Sequence, residues 1–279
     1  MALILLAALA ARVAVVQATP DYRPIGDARF YARLASGVAR TGDYAVSSGA
    51  GGTHGPTAYF PPGYPYFLAA VEVLDGHRGA GPGSVHPARL VQAVLGTVTV
   101  ALAGLVALEL FGPAVALITL ALAAAYVPWI ALGATLMSEN LLVALELGAL
   151  CAALRARRPA PPRRRAAWLI LAGVLAGVAT LTHENAVVLL VPLALAVWPA
   201  VARWSPRALA APAAVILVAV LTVAPWTIRN AVVMHRLIPV ADENGFTLAG
   251  TYNRASAADP RVPIAGGTSR PSRPRGRGT

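Results

Sequence analysis

Residues 89–110 read RLVQAVLGTVTVALAGLVALEL, an apolar run whose ionisable residues, Arg89 and Glu109, lie only at its ends. A helix needs about 20 apolar residues to cross the hydrocarbon core, so this run reads as a membrane span. Six more runs flank it, at 2–18, 113–132, 139–154, 167–182, 186–200 and 208–228. Those at 2–18, 139–154, 167–182 and 186–200 are at or below the usual minimum, which allows partial or tilted spans. The composition agrees: 57% of residues are hydrophobic and 13% charged, against roughly a quarter charged in soluble domains. The expected fold is an all-α polytopic membrane protein with about seven transmembrane helices.

Arginine positions set the expected orientation, because short cytoplasmic loops are rich in basic residues. Residues 155–165, RARRPAPPRRR, carry six arginines and are expected inside, as are Arg203 and Arg207. Counting outward puts the N-terminus in the cytoplasm and residues 19–88 outside. The turns near Glu139 and His183, and everything after Ile228, then also lie outside. The plasma membrane is the expected location. The net charge of +11 comes largely from the inner loop and the tail, so it is no nucleic-acid footprint. Arg12 interrupts residues 2–18 and no basic stretch precedes them, which favours a signal anchor over a cleaved signal peptide. Cys151 is the only cysteine, so packing rather than disulfides must hold the outer loop.

That loop, 19–88, is too long and too aromatic for a passive connector. Within it, residues 27–39 read as an amphipathic helix, with Phe30, Leu34 and Val38 at helical spacing. The expected placement is interfacial, with the apolar stripe in the acyl boundary. SSGAGGTHG (residues 47–55) reads as a flexible linker, with His54 solvated, and YFPPGYP as a rigid turn. The region 1–253 forms the membrane part, and the basic, Pro- and Gly-rich 254–279 is expected to be a disordered tail.

Asp27, Glu139 and Glu184 are far apart in sequence, yet this topology gathers them at one membrane face. A carboxylate partly desolvated at an interface becomes a competent base near neutral pH. Asp27 is the candidate base, with helix capping as the plain alternative. Glu139 complements a helix dipole or joins in catalysis; a divalent cation shared with Asp27 is an option, although two carboxylates without a spacing motif signal metal weakly. Arg229 suits a phosphate or snorkels at a span end. His183 and Glu184 suit a proton relay, a phosphate contact or a polar helix end. Tyr59 and Tyr64 suit sugar stacking or the interfacial aromatic belt. Arg12 and Glu146 come to similar depth at ~1.5 Å rise per residue. A mutual ion pair between them would offset the roughly 2.5–3.5 kcal/mol that each lone charge costs at mid-bilayer.

GDARFYARLA, YFPPGYPYFLA, the MSEN turn, GVLAGVATLTHEN, and PWTIRN followed by GFTLAGTYN together resemble bacterial membrane glycosyltransferases of the GT-C superfamily. The likeness is to Rgt-like and protein-mannosyltransferase-like members, related to the aminoarabinose lipid A transferases. It implies a polyprenyl-phosphate-linked sugar as donor, an acceptor that is a glycan, lipid or protein, and inverting transfer at the outer face among membrane lipids. By position it implies Asp27 as general base and Glu139 as the acid of the next outer loop. Arg229, Arg29, Tyr59, Tyr64, His183 and Glu184 then fall to substrate binding. Ala28 stands where many relatives carry a second acid, and His183 where many carry arginine. Relatives continue through further spans, so the chain reads as C-terminally truncated. A multispan transporter and an inactive scaffold are the rival classes; a transporter would concentrate its charges at the membrane midplane.

Overall fold

The computed structural model describes residues 1–47, 54–76, 85–199 and 206–243. The expected tail 254–279 and most of the expected linker lie outside these residues, as does the side chain of His54. Ten α-helices run in chain order: α1 (Ala2–Ala18), α2 (Gly26–Thr41), α3 (Gly63–Leu74), α4 (His86–Phe111), α5 (Pro113–Ala125), α6 (Val127–Leu132), α7 (Glu139–Ala156), α8 (Pro162–Thr182), α9 (Leu190–Val197) and α10 (Pro206–Met234). A short antiparallel hairpin, β1 (Ala45–Ser47) and β2 (His54–Pro56), pairs Val46 with Gly55. Its two strands flank residues 48–53 of the expected linker.

The fold is that of an all-α membrane protein. Among the described residues, α4, α8 and the Ala208–Met234 part of α10 are long and apolar enough to cross a membrane. The remaining apolar runs also become helical, but two are broken. The run at 113–132 splits into α5 and α6 at Tyr126, which is extended, with Pro128 in the first turn of α6. The run at 186–200 becomes a 3₁₀ turn (Glu184–Leu189) followed by the eight-residue α9. Pro192 has no N–H to offer the Val188 carbonyl, which disfavours one continuous α-helix there.

One end of the bundle carries the α2–α3 insertion. α2 was expected to bury Phe30, Leu34 and Val38 in lipid. Instead it buries Ala28, Tyr31, Ala32, Leu34 and Ala35 in a protein core, with Phe60, Tyr64, Leu68, Leu136 and Trp226, and Phe30 is exposed. The Tyr31 face turns inward because its ring packs edge-on against Phe60 and Tyr64 and its hydroxyl reaches Ser138. YFPPGYP is also more than a turn, since α3 starts at its Gly63 and α-helical geometry tolerates Pro65 in the first turn. The opposite end is an alanine-rich core of α7, α8, α9 and α10. There Gly173 and Gly177, four residues apart, let α8 press onto α10. A methyl at Gly177 would stand 2.9 Å from the Ala219 carbonyl oxygen, the close approach that small-xxx-small spacing permits.

Candidate active site

Four segments bring acidic side chains together at the insertion end. Asp27 is in the first turn of α2, exposed, and Ile25 rather than Asp27 occupies the cap position. Its carboxylate therefore complements the helix N-terminus through charge and makes no side-chain capping bond. Glu139 opens α7. Between the two stands Tyr31, one turn along α2 from Asp27. Its hydroxyl meets Ser138 Oγ at 3.4 Å, and Ser138 Oγ donates to Glu139 Oε2 at 3.5 Å. The Tyr31 ring is held edge-on by Phe60 and Tyr64, each at 5.1 Å. Burial, the largest influence, with help from Glu243, Asp27 and Glu139, pushes the Tyr31 phenol up to about 12. It stays a neutral hydrogen-bonding group throughout the physiological range.

Glu243 completes the cluster, and sequence reading missed it. It arrives by a fold-back of the chain onto α10. His235 takes a positive φ of 51° and turns the chain. Trp226 Nε1 then donates to the Val240 carbonyl at 2.7 Å, Thr227 Oγ1 to Pro239 at 2.7 Å and Asn230 Nδ2 to Ile238 at 3.0 Å. The Asp242 amide finishes the path on the Ala58 carbonyl at 3.0 Å. Burial first, then the negative charges of Asp27 and Glu184, push the Glu243 carboxyl up to about 7. The same group acts on Tyr59, whose phenol is raised by burial and then by Glu243, Asp27 and Asp242. Asp27, Glu184, Glu243, Tyr31 and Tyr59 thus share one electrostatic neighbourhood. The available signal was the adjacent pair Asp242–Glu243, between the two C-terminal motifs quoted above.

Several expectations are corrected. Tyr64, expected against a sugar or in an aromatic belt, is fully enclosed and its hydroxyl accepts from Gln92 Nε2 at 2.7 Å. It belongs to a buried polar floor in which Asn140 Nδ2 donates to Gln92 Oε1 at 2.9 Å. Arg229, expected at a phosphate or snorkelling at a span end, is a clasp. Its Nη1 donates to the Thr57 carbonyl at 2.8 Å and its Nη2 to that of Tyr44 at 3.0 Å, over the Trp226 ring at 4.7 Å. It ties the hairpin base to α10. Arg12 and Glu146 form no ion pair: the Arg12 contact in the structure is Nη1 to its own Ala8 carbonyl at 3.0 Å, and Glu146 is in electrostatic reach of His183.

His183 ends α8 in extended conformation, with Nδ1 buried and lacking a hydrogen-bond partner, and Glu184 opens the 3₁₀ turn beside it. Arg29 is exposed two residues past Asp27 and Tyr59 is exposed at the rim. Gly63 lets α3 touch the end of α8, because a methyl there would meet Thr182 Oγ1 at 2.6 Å. Among the described residues no three His, Cys, Asp or Glu side chains are grouped to hold a metal ion.

A helical membrane bundle with a packed insertion and convergent carboxylates at one end has the build of an integral-membrane enzyme. The family comparison makes this specific. Residues 60–228 match the model of the dolichyl-phosphate-mannose-protein mannosyltransferase family. The match covers more than half of the chain, which belongs to that family and is a membrane glycosyltransferase of the GT-C type. No curated protein and no solved structure matches the chain.

Proposed function

We propose that this glycosyltransferase moves a sugar, with inversion, from a polyprenyl-phosphate donor to a glycan, lipid or protein acceptor at the outer face of the plasma membrane. The observation that carries the reading is the convergence of Asp27, Glu184 and Glu243, with Glu139 held through Ser138 and Tyr31, at the insertion end of the bundle. Inverting transfer requires a base for the acceptor proton. Asp27 is that base in this reading: exposed at the rim, it reaches an incoming hydroxyl. Glu243, raised by its neighbours, holds a proton for part of the time and hydrogen-bonds the acceptor or Asp27; the carboxylates titrate together rather than singly. Tyr59 offers an aromatic edge for a sugar ring, Arg29 a cation at the rim, and His183 with Glu184 the far wall.

Asp27→Asn keeps the shape of the side chain and cannot take the proton. Transfer is expected to fall by about a hundred- to ten-thousand-fold, with donor binding nearly unchanged. Full transfer by Asp27→Asn sinks the mechanism. Orientation is tested separately, with single cysteines in a Cys151→Ala background. Positions Ser48 and Thr268 label from outside, and position Ala160 from inside. Outside labelling of position 160 overturns the outer-face assignment.

A further inference from the structure

Arg12 is 1% exposed, inside the bundle, and its Nε and Nη2 have no hydrogen-bond partner. Among the described residues no carboxylate is within ion-pair distance of it. Buried charges are ordinarily paired, and an ionisable residue inside a membrane bundle marks a functional site by default. The guanidinium faces a small cavity between α1, α4, α6 and α7, lined by Gly96, Thr99, Trp129, Glu139 and Asn140 among others. The cavity has about 230 Å³ of space with its open mouth included. Its enclosed part is narrow, suited to one oxygen atom at a time.

Two features show that the side chain is accommodated rather than accidental. Gly96 is the wall against which it packs: a methyl there would stand 2.8 Å from Arg12 Nε and 3.4 Å from Asn140 Oδ1. Asn140 is itself locked by its two bonds to Gln92. The cavity also adjoins the catalytic neighbourhood, because Glu139 lines it and its Oε2 accepts from Ser138 Oγ, which in turn meets the Tyr31 hydroxyl. Arg229, the other arginine considered for a phosphate, has both terminal nitrogens engaged, by the Thr57 and Tyr44 carbonyls and Asn230 Oδ1.

We propose that the Arg12 cavity is an anion site that takes a phosphoryl oxygen of a lipid-borne phosphate ester. The free guanidinium nitrogens donate to it in the planar geometry that suits phosphate, and the remainder of the phosphate stays at the mouth. In the reading above, the lipid is the polyprenyl-phosphate donor, and the site holds the phosphate that departs. The inference rests on that reading only for the identity of the lipid.

The test is a binding measurement on the full chain in detergent, by thermal shift, and it needs neither acceptor nor turnover. The probes are polyprenyl phosphate, neutral polyprenol, phosphatidylglycerol and inorganic phosphate. Polyprenyl phosphate is expected to raise the Tm and polyprenol is not. Arg12→Leu is expected to lose at least tenfold in affinity for polyprenyl phosphate while its ligand-free Tm holds or rises, since an unpaired buried charge is removed. A purely structural arginine would give a lower ligand-free Tm instead. Gly96→Ala, which crowds the guanidinium, is expected to weaken binding, and Arg12→Lys to retain part of it. If Arg12→Leu does not fold, the Gly96→Ala and Arg12→Lys measurements decide. Equal response to phosphatidylglycerol keeps the anion site and assigns it to membrane lipid at large; equal response to inorganic phosphate overturns the lipid-borne ligand. Unchanged binding by the Arg12 and Gly96 variants, or no preference for phosphate over polyprenol, overturns the site. Loss of transfer in Asp27→Asn beside intact binding would leave both statements standing, so each fails by its own measurement.

Discussion

The two ends of the bundle are held together by different physics. The insertion end uses large rings and directed bonds: Tyr31, Phe60, Tyr64 and Trp226 share one core, and Arg229, Trp226, Thr227 and Asn230 stitch loop carbonyls to α10. The opposite end uses alanine against alanine, with Gly173 and Gly177 bringing α8 onto α10. Its main charged feature is Glu109 near the end of α4, paired with Arg155 and Arg158 at 2.6 Å each. Close packing of small residues suits helices that must associate where lipid is as apolar as they are. Hydrogen bonds and rings suit a region that has to hold irregular backbone in fixed places around chemistry.

The comparison can be broken at several points. Tyr64→Ala removes a fully buried ring and is expected to lower stability by about 3–5 kcal/mol. Hydrogen exchange should rise across α2, α3 and 133–138 and stay low in α7, α8 and α10; a uniform rise would mean that the ends are one cooperative unit. Gly177→Val has the opposite footprint. Overpacking typically costs about 1–3 kcal/mol, and exchange should rise in α8 and α10 while α2 keeps its protection. Arg229→Ala leaves the Tyr44 and Thr57 carbonyls without their charged donor, a loss of about 1.5–3 kcal/mol. Arg229→Lys should recover little, because one ammonium cannot span both carbonyls in the plane of a guanidinium. Proteolysis within the hairpin reads this effect directly.

The smallest effect concerns Glu243. Its carboxyl is raised from its ordinary value of 4.5 to about 7, so the folded chain holds this proton more tightly than the unfolded chain does. The contribution is complete at low pH and is lost as pH rises from about 4.5 through about 7. Wild-type Tm should therefore fall over that window relative to Glu243→Gln, which keeps the size of the side chain and carries no charge. Parallel pH curves for the two proteins would remove Glu243 from the acidic neighbourhood.

Which stretches become helical was legible in the sequence, and which faces the helices turn to one another was not. All seven apolar runs are helical in whole or in part, and residues 27–39 lie within α2, because run length and 3.6-residue spacing are local properties. Depth alone put Arg12 beside Glu146, but two residues at one depth meet only if both helices turn the right faces inward. The Tyr31 face of α2 was misjudged for a related reason, since Phe30 and Tyr31 differ by about 100° of rotation and only the partner core selects between them. α3 was hidden by Pro61, Pro62 and Pro65, which signal a turn as strongly as they permit a helix start. Of the site, Asp27, Glu139 and Glu184 could be gathered from topology. Glu243 could not, because its place depends on side-chain bonds from Trp226, Thr227 and Asn230 that no periodicity encodes.

Those bonds make α10 a ruler for the acid at its far end. Trp226, Thr227 and Asn230 grip the returning chain at fixed angular positions, so a single residue inserted between Val218 and Pro225 would swing all three by about 100° and advance them by about 1.5 Å. Glu243 would be carried away from Asp27 with every acidic residue of the cluster still present in the sequence. Substitutions along the lipid-facing side of α10 should accordingly be tolerated freely, whereas its length should tolerate no change at all.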